Sequence, residues 1–173
     1  MNKRNIIYQL LVFIVYLFLQ VFLFENMVLF RTAFCFIYIG FIILLPLQLS
    51  PIILIVVAFL SGLVVDMFYS TPGINASAGV FIGFLRPYWL SMITPRGGYE
   101  DVNIPRLKTL GFSWFTKYAL PLILVHHFFL FIVEAGDLIN FWFVINKTIF
   151  STVYTYSILV IGQYMFYARV RYI

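Results

Sequence analysis

The sequence predicts an all-α integral membrane protein, one domain over residues 1–173 built as a six-transmembrane-helix bundle, and three observations carry that reading. The chain is 64% hydrophobic and 10% charged. A soluble domain carries about 45–50% apolar and about 25% charged residues, so these few polar groups cannot cover the apolar surface. The apolar residues fall in six runs close to the roughly 20 that a helix needs to cross a hydrocarbon core of about 30 Å. With six crossings, nine basic residues share a side with the termini: Lys3, Arg4, Arg86, Arg96, Arg106, Lys108, Lys117, Arg169 and Arg171. Only Arg31 and Lys147 fall opposite. That asymmetry places both termini in the cytoplasm, and an odd number of crossings would put the two basic ends on opposite faces.

The first span, 6–24, follows Lys3 and Arg4 as the core of a signal peptide does. It is 19 residues long and ends in Phe22-Leu23-Phe24-Glu25, against a usual core of about 7–15 residues followed by small residues at the cleavage point. It is expected to be retained. The second span, 32–49, carries Pro46 near its end. The third, 51–69, opens on Pro51, which a first helical turn tolerates. Ser70-Thr71-Pro72-Gly73 is a turn signal that folds the third span onto the fourth, 74–93, as a helical hairpin. Gly79, Gly83 and Pro87 mark the fourth as the span open to shortening, kinking or partial re-entry. A cytoplasmic loop, 94–117, follows. Pro95 and Gly97-Gly98 break regular structure there, and 106–115 is expected as a short surface helix with Trp114 at headgroup level. The fifth span is 118–133, with Pro121 in its first turn, and the sixth is 148–167. The net charge of +5 sits in short clusters between apolar runs, which fits membrane orientation better than nucleic-acid binding. The lone Cys35 excludes an internal disulfide and reads as a small buried hydrophobe.

Asp66 is the most informative polar residue. Gly62 lies four residues earlier and Ala58 four before that, a small-residue stripe on one helix face. A carboxylate inside a membrane must face protein or water. Asp66 is 15 residues from Pro51, about 22 Å along the axis, and so lies near the outer face. At that depth Arg31, Asn75 and the free amides opening the fourth helix are candidate partners, whereas Arg86 is too far inward. Asp66 is either a proton or ion site or a contact that pins the hairpin; the contact is favoured. His126 and His127 point about 100° apart on a helix and open no zinc motif, so hydrogen-bonded neutral imidazoles are favoured over a metal site or proton relay. Glu134 and Asp137, beside Phe141-Trp142-Phe143, read as an acidic interfacial loop with an aromatic belt rather than a ligand site. The segment from Arg96 to Asp101 is either a solvated turn or a partner contact. Neither a phosphate loop nor a nucleophile motif is present, and no cofactor, metal or catalytic residue is expected.

At the hairpin, Phe59-Leu60-Ser61-Gly62-Leu63-Val64-Val65-Asp66, followed by Thr71-Pro72-Gly73-Ile74-Asn75-Ala76, resembles the signature region of the rod shape-determining protein MreD family. The segment Pro95-Arg96-Gly97-Gly98-Tyr99-Glu100-Asp101, His126-His127 and Glu134 resemble one branch of it. The resemblance covers most of the chain; the aromatic, Asn-containing start of the sixth helix has no counterpart in it. It implies a non-catalytic scaffold of the bacterial cell-elongation machinery in the inner membrane, supporting cell-shape control and peptidoglycan synthesis. It also implies association with an MreC-like protein and, through it, with RodA, its transpeptidase and the MreB filament. The bundle would be similar to the substrate-binding subunits of energy-coupling-factor transporters. The partner's single helix is expected to pack on Ala58, Gly62, Gly79 and Gly83. Two rivals stand beside this reading. A small-molecule carrier or substrate-binding subunit would need a polar cavity lined by Asp66, Asn75 and His127. A membrane enzyme would need Asp66, the histidines and Glu134 to converge, which their depths disfavour.

Overall fold

The computed structural model describes residues 3–95, 97–99, 102–136 and 141–167. Arg96, Glu100, Asp101, Asp137, Arg169 and Arg171 therefore lie outside the described residues. Seven α-helices are described: α1 (Lys3–Phe18), α2 (Tyr38–Ile43), α3 (Pro51–Tyr69), α4 (Ile74–Ile93), α5 (Leu107–Leu110), α6 (Phe112–Ala135) and α7 (Phe141–Tyr167). A π-helical turn, Leu19–Phe24, extends α1. Four of these segments are long and apolar enough to cross a membrane: Ile7–Phe24, Pro51–Tyr69, Phe112–Ala135 and Phe141–Met165. Their outward residues are large and apolar, among them Leu11, Ile14 and Phe18 on α1, Ile52, Val56 and Met67 on α3, and Phe150 and Val153 on α7. Such a surface calls for a lipid surround.

Helix α4 is 20 residues long but is less apolar than those four, and it carries Asn75 and Arg86, both buried. It runs unbroken through Gly79, Gly83 and Pro87. The break expected in the fourth span falls instead in the second. Span 32–49 is not a transmembrane helix: its only helix is the six-residue α2. Pro46 and Pro51, flanking a bend, limit helix propagation there. The chain reaches this segment through a tight turn in which Leu29 and Ala33 pair through both backbone hydrogen bonds, 2.9 Å each, with Phe30 and Arg31 at φ 51° and 59°.

Segment 33–47 then threads the interior beside α6. Phe34 meets Phe131, ring centroids 6.1 Å apart; Tyr38 reaches His126; and the Ile43 carbonyl reaches Tyr118. From Phe131 to Tyr118 is 13 residues of helix, about 20 Å at 1.5 Å per residue, so the segment descends most of the bundle without a full helix. Non-helical backbone at this depth is tolerated only inside protein, and residues 35–43 are buried throughout.

Two further boundaries differ from expectation. Pro121 lies inside α6, not in its first turn, because the helix starts at Phe112. The expected surface helix 106–115 is reduced to the four residues of α5. Trp114 belongs to α6 and stacks on Tyr118 at 5.0 Å. Helix α7 begins at Phe141, seven residues before the expected 148, so the aromatic trio forms its first turn.

Candidate functional site

The hairpin is held by a close helix–helix approach. A Cβ at Gly62 would sit 2.6 Å from the Ala76 Cα and overlap the Asn75 carbonyl; one at Gly79 would sit 2.6 Å from the Ala58 oxygen. At Gly83 it would stand 3.2 Å from both the Ala58 Cβ and the Ile55 Cα. The stripe of Ala58, Gly62, Gly79 and Gly83 therefore seats α3 on α4 backbone to backbone. It is buried between them, which corrects the expectation that it receives a partner helix.

Asp66 closes the hairpin. Its Oδ1 accepts from the Thr71 hydroxyl (2.8 Å), the Asn75 backbone N–H (2.9 Å) and the Asn75 amide Nδ2 (3.0 Å). Its Oδ2 accepts from the Ala76 backbone N–H at 2.8 Å. Gly73, at the N-cap of α4, offers no side chain. The carboxylate of α3 therefore caps α4 from across the turn, meeting two of its free amides and the positive end of its dipole. The expected partners Asn75 and the α4 amides are present. Arg31 is exposed in the preceding turn, and the contacts of Asp66 are Thr71, Asn75 and Ala76 instead, because these lie within one turn of the hairpin bend. Pro72 and Gly73 are exposed in that bend, Gly73 at φ 85°, a conformation that favours glycine.

Arg86 is 1% exposed, and its hydrogen bonds run to carbonyl and hydroxyl oxygens. Its Nε donates to the Tyr118 hydroxyl at 2.6 Å. Its terminal nitrogens donate to the carbonyls of Ile43 (3.3 Å), Leu45 (2.5 Å) and Pro46 (3.5 Å). Tyr118 also donates to the Ile43 carbonyl, at 2.9 Å. These are the carbonyls freed where α2 ends and the chain bends. A cation at a helix C-terminus satisfies both the acceptors and the dipole. Arg86 is thus a buried clamp on the bend that follows α2.

The upper half of the threaded segment is held the same way. Gln20, in the π-helical turn, donates to the Cys35 carbonyl (3.0 Å) and accepts from the Tyr38 N–H (3.2 Å). Ser151 accepts from the Phe34 N–H at 2.9 Å, and Thr155 from the Phe36 N–H at 3.1 Å. Buried backbone groups must be paired, and here α1, α4, α6 and α7 each lend a side chain to do it.

The histidines complete this core. His126 Nε2 lies 2.7 Å from the Tyr38 hydroxyl, which is also 3.2 Å from the Asn75 carbonyl. His127 bonds the Ile123 carbonyl through Nδ1 at 2.7 Å and faces Thr155 through Nε2 at 3.2 Å. Both are fully buried, one toward α2 and one toward α7, as adjacent positions on a central helix require. Among the described residues no three His, Cys, Asp or Glu side chains gather as a metal site. Glu134 is exposed and pairs with Lys147 at 2.6 Å. Arg96 falls outside the described residues.

Gln20, Tyr38, Tyr118, Ser151 and Thr155 carry much of this network and have no motif in the sequence. One signal was available: Thr148, Ser151, Thr152 and Thr155 fall at i, i+3, i+4 and i+7, a polar stripe on an otherwise apolar helix. On the outer surface, an apolar groove of about 520 Å³ runs beside the hairpin, lined by Ile55, Phe59, Ala76, Val80, Phe84 and Phe129. No protein family, curated protein or solved structure matches this chain in sequence or fold comparison.

Proposed function

We propose that the chain is a non-catalytic, multi-pass scaffold of the bacterial cell-elongation machinery, similar to the MreD family, which seats the single transmembrane helix of an MreC-like partner. The observation that carries the reading is the apolar groove beside the α3–α4 hairpin. It is about 520 Å³, lies on a lipid-facing surface, and is walled by small and aromatic side chains of the kind that support helix packing in membranes. The polar interior supports the same reading, since Asp66, Arg86, Gln20, His127 and Thr155 are engaged with the fold's own backbone. On this reading the chain crosses the inner membrane six times, with segment 33–47 as a broken second crossing and both termini cytoplasmic. RodA, its transpeptidase and the MreB filament are reached through the partner.

The test is photocrosslinking in native membranes with the probe at Phe59 or Val80. The expected product is an adduct with a single-span MreC-like protein, lost when the probe moves to Met165 at the far end of α7. Adducts with lipid alone at both groove positions would refute the proposal.

The carrier reading needs Asp66, Asn75 and His127 around one cavity. Asp66 and His127 are instead packed and hydrogen-bonded at separate places, so scaffold is the better-supported function.

A further inference from the structure

Between the outer ends of α3, α6 and α7 lies a second cavity, about 170 Å³. This is room for a few waters or one small organic group. Phe34, Phe36 and Phe131 form its apolar wall, and Glu25, Glu134 and Lys147 ring its mouth. Asn75 lines it from within and is 2% exposed. The Asn75 amide nitrogen is engaged by Asp66 and Thr71, while its Oδ1 is buried without a hydrogen-bond partner. A buried, unpartnered acceptor is costly, and a side-chain movement that brought it to the cavity would let a donor relieve it.

The chain already shows what this chemistry holds. The Lys147 ammonium sits 4.5 Å from the Phe34 ring centroid and 4.3 Å from that of Phe131, with the Glu134 carboxylate 2.6 Å away. Its side chain is only 13% exposed. Aromatic faces plus a carboxylate are the usual means of seating an alkylammonium. At the rim, two carboxylates face one lysine, so the mouth keeps a net negative charge after the internal pair is made.

We propose that this cavity is a binding site for a small organic ammonium group, and that Lys147 occupies its aromatic seat as a built-in competitor. The ligand's N–H groups would meet the Glu25 and Glu134 carboxylates, displacing Lys147 toward water. The group belongs either to a free amine or to an ethanolamine lipid headgroup, which have the same ammonium chemistry. The site is separate from the partner groove and stands or falls without it.

The test uses the full chain in two arms. In detergent micelles, ethanolammonium chloride is titrated against matched sodium chloride while the melting temperature is followed. In nanodiscs, phosphatidylethanolamine is compared with phosphatidylglycerol. Saturable stabilisation in micelles assigns a free amine, and stabilisation confined to the phosphatidylethanolamine discs assigns a headgroup. In whichever arm responds, Lys147→Gln is expected to tighten binding about tenfold by vacating the seat, and Glu25→Gln to weaken it severalfold. Glu25 is exposed, so its substitution is expected to leave the fold intact. No stabilisation in either arm, or stabilisation that both substitutions leave unchanged, overturns the proposal.

Discussion

Replacing Asp66 by leucine tests the hairpin lock most directly. The substitution keeps side-chain bulk and removes the acceptors of four hydrogen bonds, two of them from the buried backbone amides of Asn75 and Ala76. Leaving a buried donor unpaired costs about 1–3 kcal/mol, so two orphaned amides set an upper bound near 6 kcal/mol. Interhelical hydrogen bonds in membrane proteins average about 0.6 kcal/mol each, because the unfolded chain in the bilayer also finds partners; four of them give about 2.4 kcal/mol. The expected loss therefore lies between about 2.4 and 6 kcal/mol, with part of the spread set by the lost charge–dipole contact of about 0.3–1 kcal/mol. Asp66→Asn keeps one acceptor oxygen and is expected to lose roughly half as much. The assay is reversible unfolding of the purified chain in mixed micelles against increasing denaturing detergent. Asp66→Leu within about 0.5 kcal/mol of the parent, the range of neutral surface changes, would refute the capping role.

Three further outcomes follow from the packing. Gly62→Val forces α3 off α4, because its Cβ overlaps the Asn75 and Ala76 backbone. It should lower the melting temperature sharply, whereas Gly162→Val, with open space around its Cβ, should leave it nearly unchanged. Arg86→Met removes the donors to Ile43, Leu45 and Pro46. A loss of about 3 kcal/mol is expected, with Tyr118→Phe costing about 1–2 kcal/mol, both read by the same unfolding titration; a neutral Arg86→Met would dismiss the clamp. Glu134→Gln breaks a pair whose acid is 42% exposed and should shift stability by less than about 1 kcal/mol, measurable by a melting curve at low and high salt.

The hairpin was legible in the sequence because its determinants are local. Asp66 and Asn75 are nine residues apart, the turn between them has its own chemistry, and depth alone pointed to the α4 amides. Segment 32–49 was misread because hydropathy reports burial, not the identity of the groups that satisfy the backbone. Phe34 and Phe36 are held by Ser151 and Thr155, separations of 117 and 119 residues, which no local window contains. The role of Arg86 was not legible for a related reason: the carbonyls it holds are free only because a distant helix stops short. Adjacent histidines were correctly expected to diverge, yet the sequence did not say which helix each would face.

The threaded segment also bears on how the protein is made. Residues 33–47 would leave the ribosome more than a hundred residues before Ser151 and Thr155, and until α7 arrives the Phe34 and Phe36 amides lack the acceptors they have in the finished protein. The backbone pairing of this stretch is therefore completed only once α7 has been made. A nascent chain stalled before α7 should leave it accessible to chaperones or quality-control proteases, so α7 acts as the step that locks this segment into the bundle.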